Sequence, residues 1–183
     1  MTWEYLDEDI FQTRFGIVAA YLKGKTENKT ILDLNCGKDF PILKYLSTDF
    51  RQYIGNDIAI DVGLVGNNDL LLKMDDRHIL EFLKDKVKEV DILLHLGCGG
   101  HAISGESVES ATDTETGGEI IRNYKPEIFI LESVEKYFHH VLGQYGHVLN
   151  EESYKITHTL RLVIDEKEDF INHRVFRFFE RIA

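Results

Sequence analysis

Apolar and polar positions change period several times along the chain, and each change marks an element. Residues 5–23 place Ile10, Phe11, Ile17, Val18, Tyr21 and Leu22 at helical spacing. Five short apolar runs follow: TILDL (30–34), QYIGND (52–57), LLLKM (70–74), DILLHL (91–96) and EIFILES (127–133). Runs of this length without strict alternation predict parallel strands covered on both faces. Helical patterns lie between them. One covers 41–49 and opens on Pro41, a favoured first helical position. Another, 76–90, repeats Ile79, Leu83, Val87 and Val90 along one stripe, with Asp75 or Asp76 as N-cap. Two more are predicted over 115–124 and 134–142. The interval IAIDVGLVGNN (58–68) has the length of a helix but two glycines and a weak pattern, so a helix there is expected to be short or absent.

The pattern then changes character. YKITHTLRLVI (154–164) and HRVFRFFERI (173–182) are longer strand-like runs joined by polar residues, which predicts an antiparallel hairpin. Strand–helix alternation closed by such a pair describes a three-layer, doubly wound α/β sheet, mostly parallel, with a C-terminal antiparallel hairpin. No repeat, low-complexity tract or linker interrupts the chain. One domain is expected, with an N-terminal helical segment (1–28), a Rossmann-like core (29–150) and the hairpin (151–183).

Composition narrows the function. With 183 residues, the chain is long enough for one sizeable core. Its 21 Lys and Arg against 32 Asp and Glu leave a net charge of −11, and no basic cluster exceeds two residues. Phosphate backbones reward local cationic surface, so nucleic acid is a disfavoured partner. No apolar run reaches the roughly 20 residues that span a bilayer. The acidic start, MTWEYLDEDIF, resembles neither a secretory signal nor a transit peptide, and the cytoplasm is the expected compartment. Cys36 and Cys98 are too few for a disulfide scaffold.

The chemistry gathers where strands end. ILDLNCGKD (31–39) is an apolar strand with an acidic residue near its end, followed by a turn that keeps a single glycine, Gly37. Asp57 lies 20 residues further on, at the end of the next strand, where a carboxylate can accept both hydroxyls of a ribose. With the first strand central, the ends of strands one, two and four meet at the switch point of the sheet, where ligands of such folds bind.

These segments, with YIGNDI (53–58), KMDDRHIL (73–80), DILLHLGCGG (91–100) and the closing hairpin, resemble in order and spacing the class I S-adenosylmethionine-dependent methyltransferases over nearly the whole chain. The resemblance implies an S-adenosylmethionine site lined by Asp33, Asn35, Gly37, Asp57, Asp75, Asp76 and Gly97, with Asp57 on the ribose and the Asp75–Asp76 pair beside the adenine. The family's turn has Gly where Asn35 and Asp39 stand. Asn and Asp tolerate left-handed backbone better than other side chains, so the turn can keep its shape. Asp33 or Asp39 could meet the ammonium group of the cofactor.

The glycine-rich stretch 95–118 has a loop's composition and follows a central strand, a usual place for an active site. Methyl transfer needs alignment and sometimes a base for the acceptor's proton. His101 is the first candidate base and Glu132, at the end of the fifth strand, the second. The acceptor is expected to be a small molecule or a protein side chain. KPEIFILESV (125–134) is also similar to a segment of the DNA cytosine-5 methyltransferases, with Cys98 near the place of their nucleophile. Their proline–cysteine–glutamine motif is absent, since the sequence reads GCGGH, so a shared fold rather than a shared reaction is expected.

Two other classes stand beside methyl transfer. One is a non-catalytic module of this fold that binds a nucleotide-like ligand or a protein partner. The other is a metal site drawn from Cys36, Cys98, His95, His101, His139 and His140, for which no local spacing speaks. Of the pair His139–His140, one ring is expected to face solvent and the other to pack. Phe176, Phe178 and Phe179 either pack in the core against the last helix or present an edge for a homodimer.

Overall fold

The computed structural model describes residues 8–37, 41–57, 69–72, 76–98, 110–163 and 173–182. In chain order the elements are α1 (Glu8–Leu22), β1 (Thr30–Leu34), a 3-10 turn (Pro41–Lys44), β2 (Gln52–Asn56), β3 (Asp69–Leu72), α2 (Asp76–Lys86), β4 (Ile92–Cys98), α3 (Ser110–Tyr124), β5 (Ile128–Val134), α4 (Glu135–Glu151), β6 (Tyr154–Leu162) and β7 (Arg174–Arg181). The seven strands form one sheet in the order β3-β2-β1-β4-β5-β7-β6. β1 to β5 pair in parallel, and β7 runs antiparallel between β5 and β6.

The continuous apolar strands have the burial they imply. All five residues of β1 and all seven of β5 are buried. Successive side chains enter two different cores because the strand period is two. Leu32, Leu34, Leu93, Phe129 and Leu131 join α2, α3 and α4 on one face. Ile31, Ile92, Leu94, Ile128 and Ile130 join α1 and the 3-10 turn on the other.

Three elements depart from the sequence-based boundaries. The helix expected at 41–49 is a 3-10 turn of four residues. Ile42 and Leu46 are buried as expected, but the hydroxyls of Thr26 and Ser47 both donate to Asp49 Oδ1, at 2.7 and 2.6 Å, and Asn28 N–H donates to the Asp49 carbonyl. Side chains that bond locally in this way compete with helix continuation. α4 runs past 142 to Glu151, because Phe138, Val141, Tyr145, Val148 and Leu149 sustain one buried stripe across Gly143 and Gly146. α3 begins at Ser110, inside the stretch whose composition predicted a loop. The interval 58–68 lies outside the described residues.

The aromatic hairpin strand is interior. Phe176 and Phe178 pack on the α1 face, where Tyr21 lies 4.4 Å from the Phe178 ring. Phe179 stacks on Phe129 toward α4. The outer position belongs to β6, which is mostly exposed. Among the described residues no helix is long and apolar enough to cross a membrane.

Candidate functional site

The carboxyl ends of β1, β2 and β4 adjoin, as the strand order requires. After Leu34 the chain turns through two left-handed residues, Asn35 (φ 58°) and Gly37 (φ 79°). Glycine adopts this region freely and asparagine more readily than other side chains, so the turn persists with one glycine. Two bonds tie it to β2. Cys36 N–H donates to the Asn56 carbonyl at 3.1 Å, and Gly37 N–H donates to Asp57 Oδ2 at 3.0 Å. Asp57 N–H in turn donates to Leu72 of β3. The lone glycine of the turn and the acid closing the second strand are thus in direct contact.

Asp33 sits beneath this turn, 1% exposed, on the α1 face. Tyr53 donates its hydroxyl to Asp33 Oδ2 at 2.7 Å. Burial pushes the Asp33 carboxyl up to about 7; the Tyr53 hydrogen bond works against this, and the neighbouring Asp57 adds to it. Asp33 Oδ1 is buried and has no hydrogen-bond partner among the described residues.

On the opposite face of the sheet end lies His95 of β4, fully buried. Its Nε2 is 3.1 Å from Asn35 Nδ2, and its Nδ1 is 2.6 Å from the Tyr145 hydroxyl of α4. An amide nitrogen only donates, so Nε2 accepts and the ring proton resides on Nδ1, donated to Tyr145. Burial lowers the His95 pKa to about 3, with Glu132 acting the other way, so the ring is neutral.

The third polar centre closes the crevice at β5. Glu132 is fully buried on the α1 face. Arg14 reaches it with two nitrogens, Nε at 3.1 Å and Nη2 at 2.5 Å, and Arg174 Nη1 lies at 3.5 Å. Gly97, left-handed at φ 84° where β4 shifts register against β5, donates its N–H to Glu132 Oε2. Burial works against the ionised form, but the two guanidiniums and the Gly97 amide outweigh it and hold Glu132 below the usual glutamate range. A carboxylate so committed shapes the end of β4 and is unsuited to accept a proton from an acceptor. Beside it, Glu135 bridges Arg161 (2.7 Å) and the buried His173 (3.3 Å) across the start of α4.

The other sequence-based candidates fall as follows. Asp76 opens α2 beyond β3. Asp75, Asp39 and His101 lie outside the described residues. Cys36 is buried in the first turn and Cys98 ends β4. Both His139 and His140 are exposed, contrary to the expectation that one would pack, because the buried stripe of α4 passes through Phe138 and Val141 instead. Among the described residues no three His, Cys, Asp or Glu side chains converge as a metal-holding group. His95 is engaged by Asn35 and Tyr145.

Sequence reasoning did not single out Arg14, Arg174 or Tyr145. A signal existed for Arg174: in HRVFRFF it shares the inward alternation with Phe176 and Phe178. Nothing local marked Arg14 as the partner of a residue 118 positions away.

No protein-family model matches the sequence, and no curated protein matches it. Solved structures do match in shape. The N-methyltransferase NodS of Bradyrhizobium japonicum, in complex with S-adenosyl-L-homocysteine, superposes with a TM-score of 0.67 at 10% identity, covering 99% of this chain and 92% of that one. The methyltransferase domain of bacterial CtHen1 gives 0.64 at 16% identity, covering 95% of this chain and 100% of that domain. A Streptococcus mutans protein proposed to be an S-adenosylmethionine-dependent methyltransferase gives 0.66 at 12% identity, covering 90% of this chain but only 48% of its own. Strand order, the closing hairpin and these superpositions together identify the fold of this chain as that of the class I S-adenosylmethionine-dependent methyltransferases.

Proposed function

We propose that the chain binds S-adenosylmethionine in the crevice above β1, β2 and β4 and transfers its methyl group to a small molecule or a protein side chain. The observation that carries this reading is the bridge from Gly37 N–H to Asp57, which sets a carboxylate and a left-handed turn side by side at the switch point. The orphaned Asp33 Oδ1 fits the group as well, since a buried acceptor without a donor suits an ammonium.

The cofactor supplies an electrophilic methyl on a sulfonium. In this reading Asp57 receives the ribose hydroxyls, Asp33 faces the ammonium group, and the turn from Asn35 to Gly37 gives the backbone room. Asp75 and Asp76 border the adenine, and Gly97 forms the wall toward the acceptor. His101 takes the acceptor's proton. Glu132 acts through Gly97, whose amide it holds, rather than as a base. Structural neighbours include complexes with S-adenosylhomocysteine, which supports the choice of cofactor over other nucleotides.

The test is calorimetric titration with S-adenosylhomocysteine. Binding in the micromolar range is expected, and Asp57→Ala should weaken it by about tenfold to a hundredfold, the loss of a charged hydrogen-bonding partner. No heat from the wild type would sink the reading. The commitment of Glu132 to two arginines favours a second possibility, a non-catalytic module that binds the same ligand. Methyl turnover lost in His101→Ala argues for the enzyme; binding without turnover toward any acceptor argues for the module.

A further inference from the structure

The first turn is unusual in carrying a side chain, Asn35, at a left-handed position that glycine would occupy without strain. A side chain at such a backbone position carries a cost that glycine does not, smaller for asparagine than for other residues. Asn35 is held. Its side-chain amide reaches across to His95 Nε2 at 3.1 Å, and His95 passes the connection through Nδ1 to the Tyr145 hydroxyl at 2.6 Å. Both His95 and Tyr145 are fully buried, so these bonds form in a medium where water does not compete.

The far end of the chain of bonds is also built for closeness. A Cβ added at Gly117 of α3 would lie 2.0 Å from the Tyr145 hydroxyl oxygen. The glycine leaves the space into which the hydroxyl fits. Four elements therefore meet along one line: α3 at Gly117, α4 at Tyr145, β4 at His95, and the turn after β1 at Asn35. With Asn35 Nδ2 facing it, His95 serves as the neutral ring, because an imidazolium would present N–H to an amide N–H. The low-dielectric surroundings keep it neutral.

We propose that His95 and Tyr145 are positioning residues that clamp the Asn35 side chain and so hold the first turn in its cofactor-accepting, left-handed shape. The histidine and asparagine together replace the glycine of the family's turn. The proposal rests on the cofactor reading above for its functional consequence, but not for its structural one. A glycine at position 35 needs no clamp. His95 should therefore matter only while Asn35 is present.

Two measurements are made on the full chain: amide hydrogen exchange at Cys36 and Gly37 in the unliganded protein, and affinity for S-adenosylhomocysteine by calorimetry. His95→Leu should speed exchange at both amides by about tenfold and weaken the ligand by a similar factor, as expected for losing one buried hydrogen bond. His95→Gln, which can accept from Asn35 and donate to Tyr145, should restore both to within about threefold of the wild type. In an Asn35→Gly background the same His95→Leu change should alter neither readout by more than about twofold. Equal losses in both backgrounds would mean a general packing defect and would overturn the clamp. So would wild-type exchange in His95→Leu. If that variant fails to fold, Tyr145→Phe removes one hydroxyl alone; faster exchange at Cys36 and Gly37 supports the clamp, and unchanged exchange refutes it. A wild type that gives no heat with S-adenosylhomocysteine sinks the cofactor reading, while the exchange measurement still decides the clamp.

Discussion

Asp33 and Glu132 are carboxylates at the carboxyl ends of β1 and β5, both buried, both on the face of the sheet that α1 covers. Burial acts on each in the same direction, yet their pKa values move in opposite directions. Asp33 has one neutral donor, Tyr53, and another carboxylate nearby, and its pKa rises to about 7. Glu132 has two guanidiniums and a backbone amide, and its pKa is held below the usual glutamate range. Depth alone does not set protonation at this sheet end; the charge of the partner does. The end of β1 is left with an acceptor that a cationic ligand can satisfy, and the end of β5 is closed.

The largest effect is expected from breaking the second centre. Glu132→Gln leaves two buried guanidiniums facing a neutral amide and should cost about 3–5 kcal/mol in urea unfolding at pH 7, the range for removing one member of a buried pair. The depressed pKa of Glu132 implies stability that is present above the ordinary glutamate range and lost as pH falls through the folded value. The variant should lack that acid-side loss. A cost below the range for an exposed pair would show that Arg14 and Arg174 do not depend on this carboxylate.

Asp33→Asn sharpens the contrast in the other direction. The folded pKa of about 7 lies above the ordinary 3.8. Its contribution is therefore complete below about pH 4 and lost as pH rises through 7. Asparagine mimics the protonated acid and still accepts from Tyr53, so the variant should exceed the wild type in stability above pH 7, by roughly 4 kcal/mol at most for a shift of this size. Denaturant unfolding at pH 5 and pH 8 reads the difference. The same variant should bind S-adenosylhomocysteine more weakly if Oδ1 receives the ammonium.

On the opposite face the comparison is with a centre that carries no charge. Gly117→Ala drives a methyl into the Tyr145 hydroxyl and should cost about 1–3 kcal/mol through overpacking, despite the better helix propensity of alanine. Gly143→Ala and Gly146→Ala on α4 are the controls. Their added methyls meet nothing within 4 Å, so each should raise stability by up to about 1 kcal/mol, visible as a higher Tm. A loss at Gly143 equal to that at Gly117 would remove the special place given to Tyr145.

Much of the fold was legible in the sequence for local reasons. Unbroken apolar runs such as TILDL and EIFILES read as strands covered on both faces, and the longer strand-like run HRVFRFFERI placed the hairpin. The meeting of the ends of strands one, two and four was legible too, because the strand order of a doubly wound sheet brings them to one switch point; the hydrogen bond from Gly37 to Asp57 was not foreseen. The extents of α3 and α4 were not legible. The missed start of α3, SATDT, is rich in small polar residues of low helix propensity, and Gly143 and Gly146 lower it in the missed end of α4, where the burial of Tyr145, Val148 and Leu149 against neighbouring elements overrides it.

The sequence by itself determined the order of strands and helices, the closing hairpin and the strand ends that adjoin at the switch point, because periodicity and spacing act within a few tens of residues. Only the tertiary structure decided that Glu132 is an anchored ion, that the Asp33 pKa rises to about 7 and that His95 is a neutral strut beneath Asn35. Those states depend on which side chains arrive from distant helices: Arg14 from α1, Tyr145 from α4. In a buried site the partner sets the charge, and the identity of the partner is a property of the packed molecule.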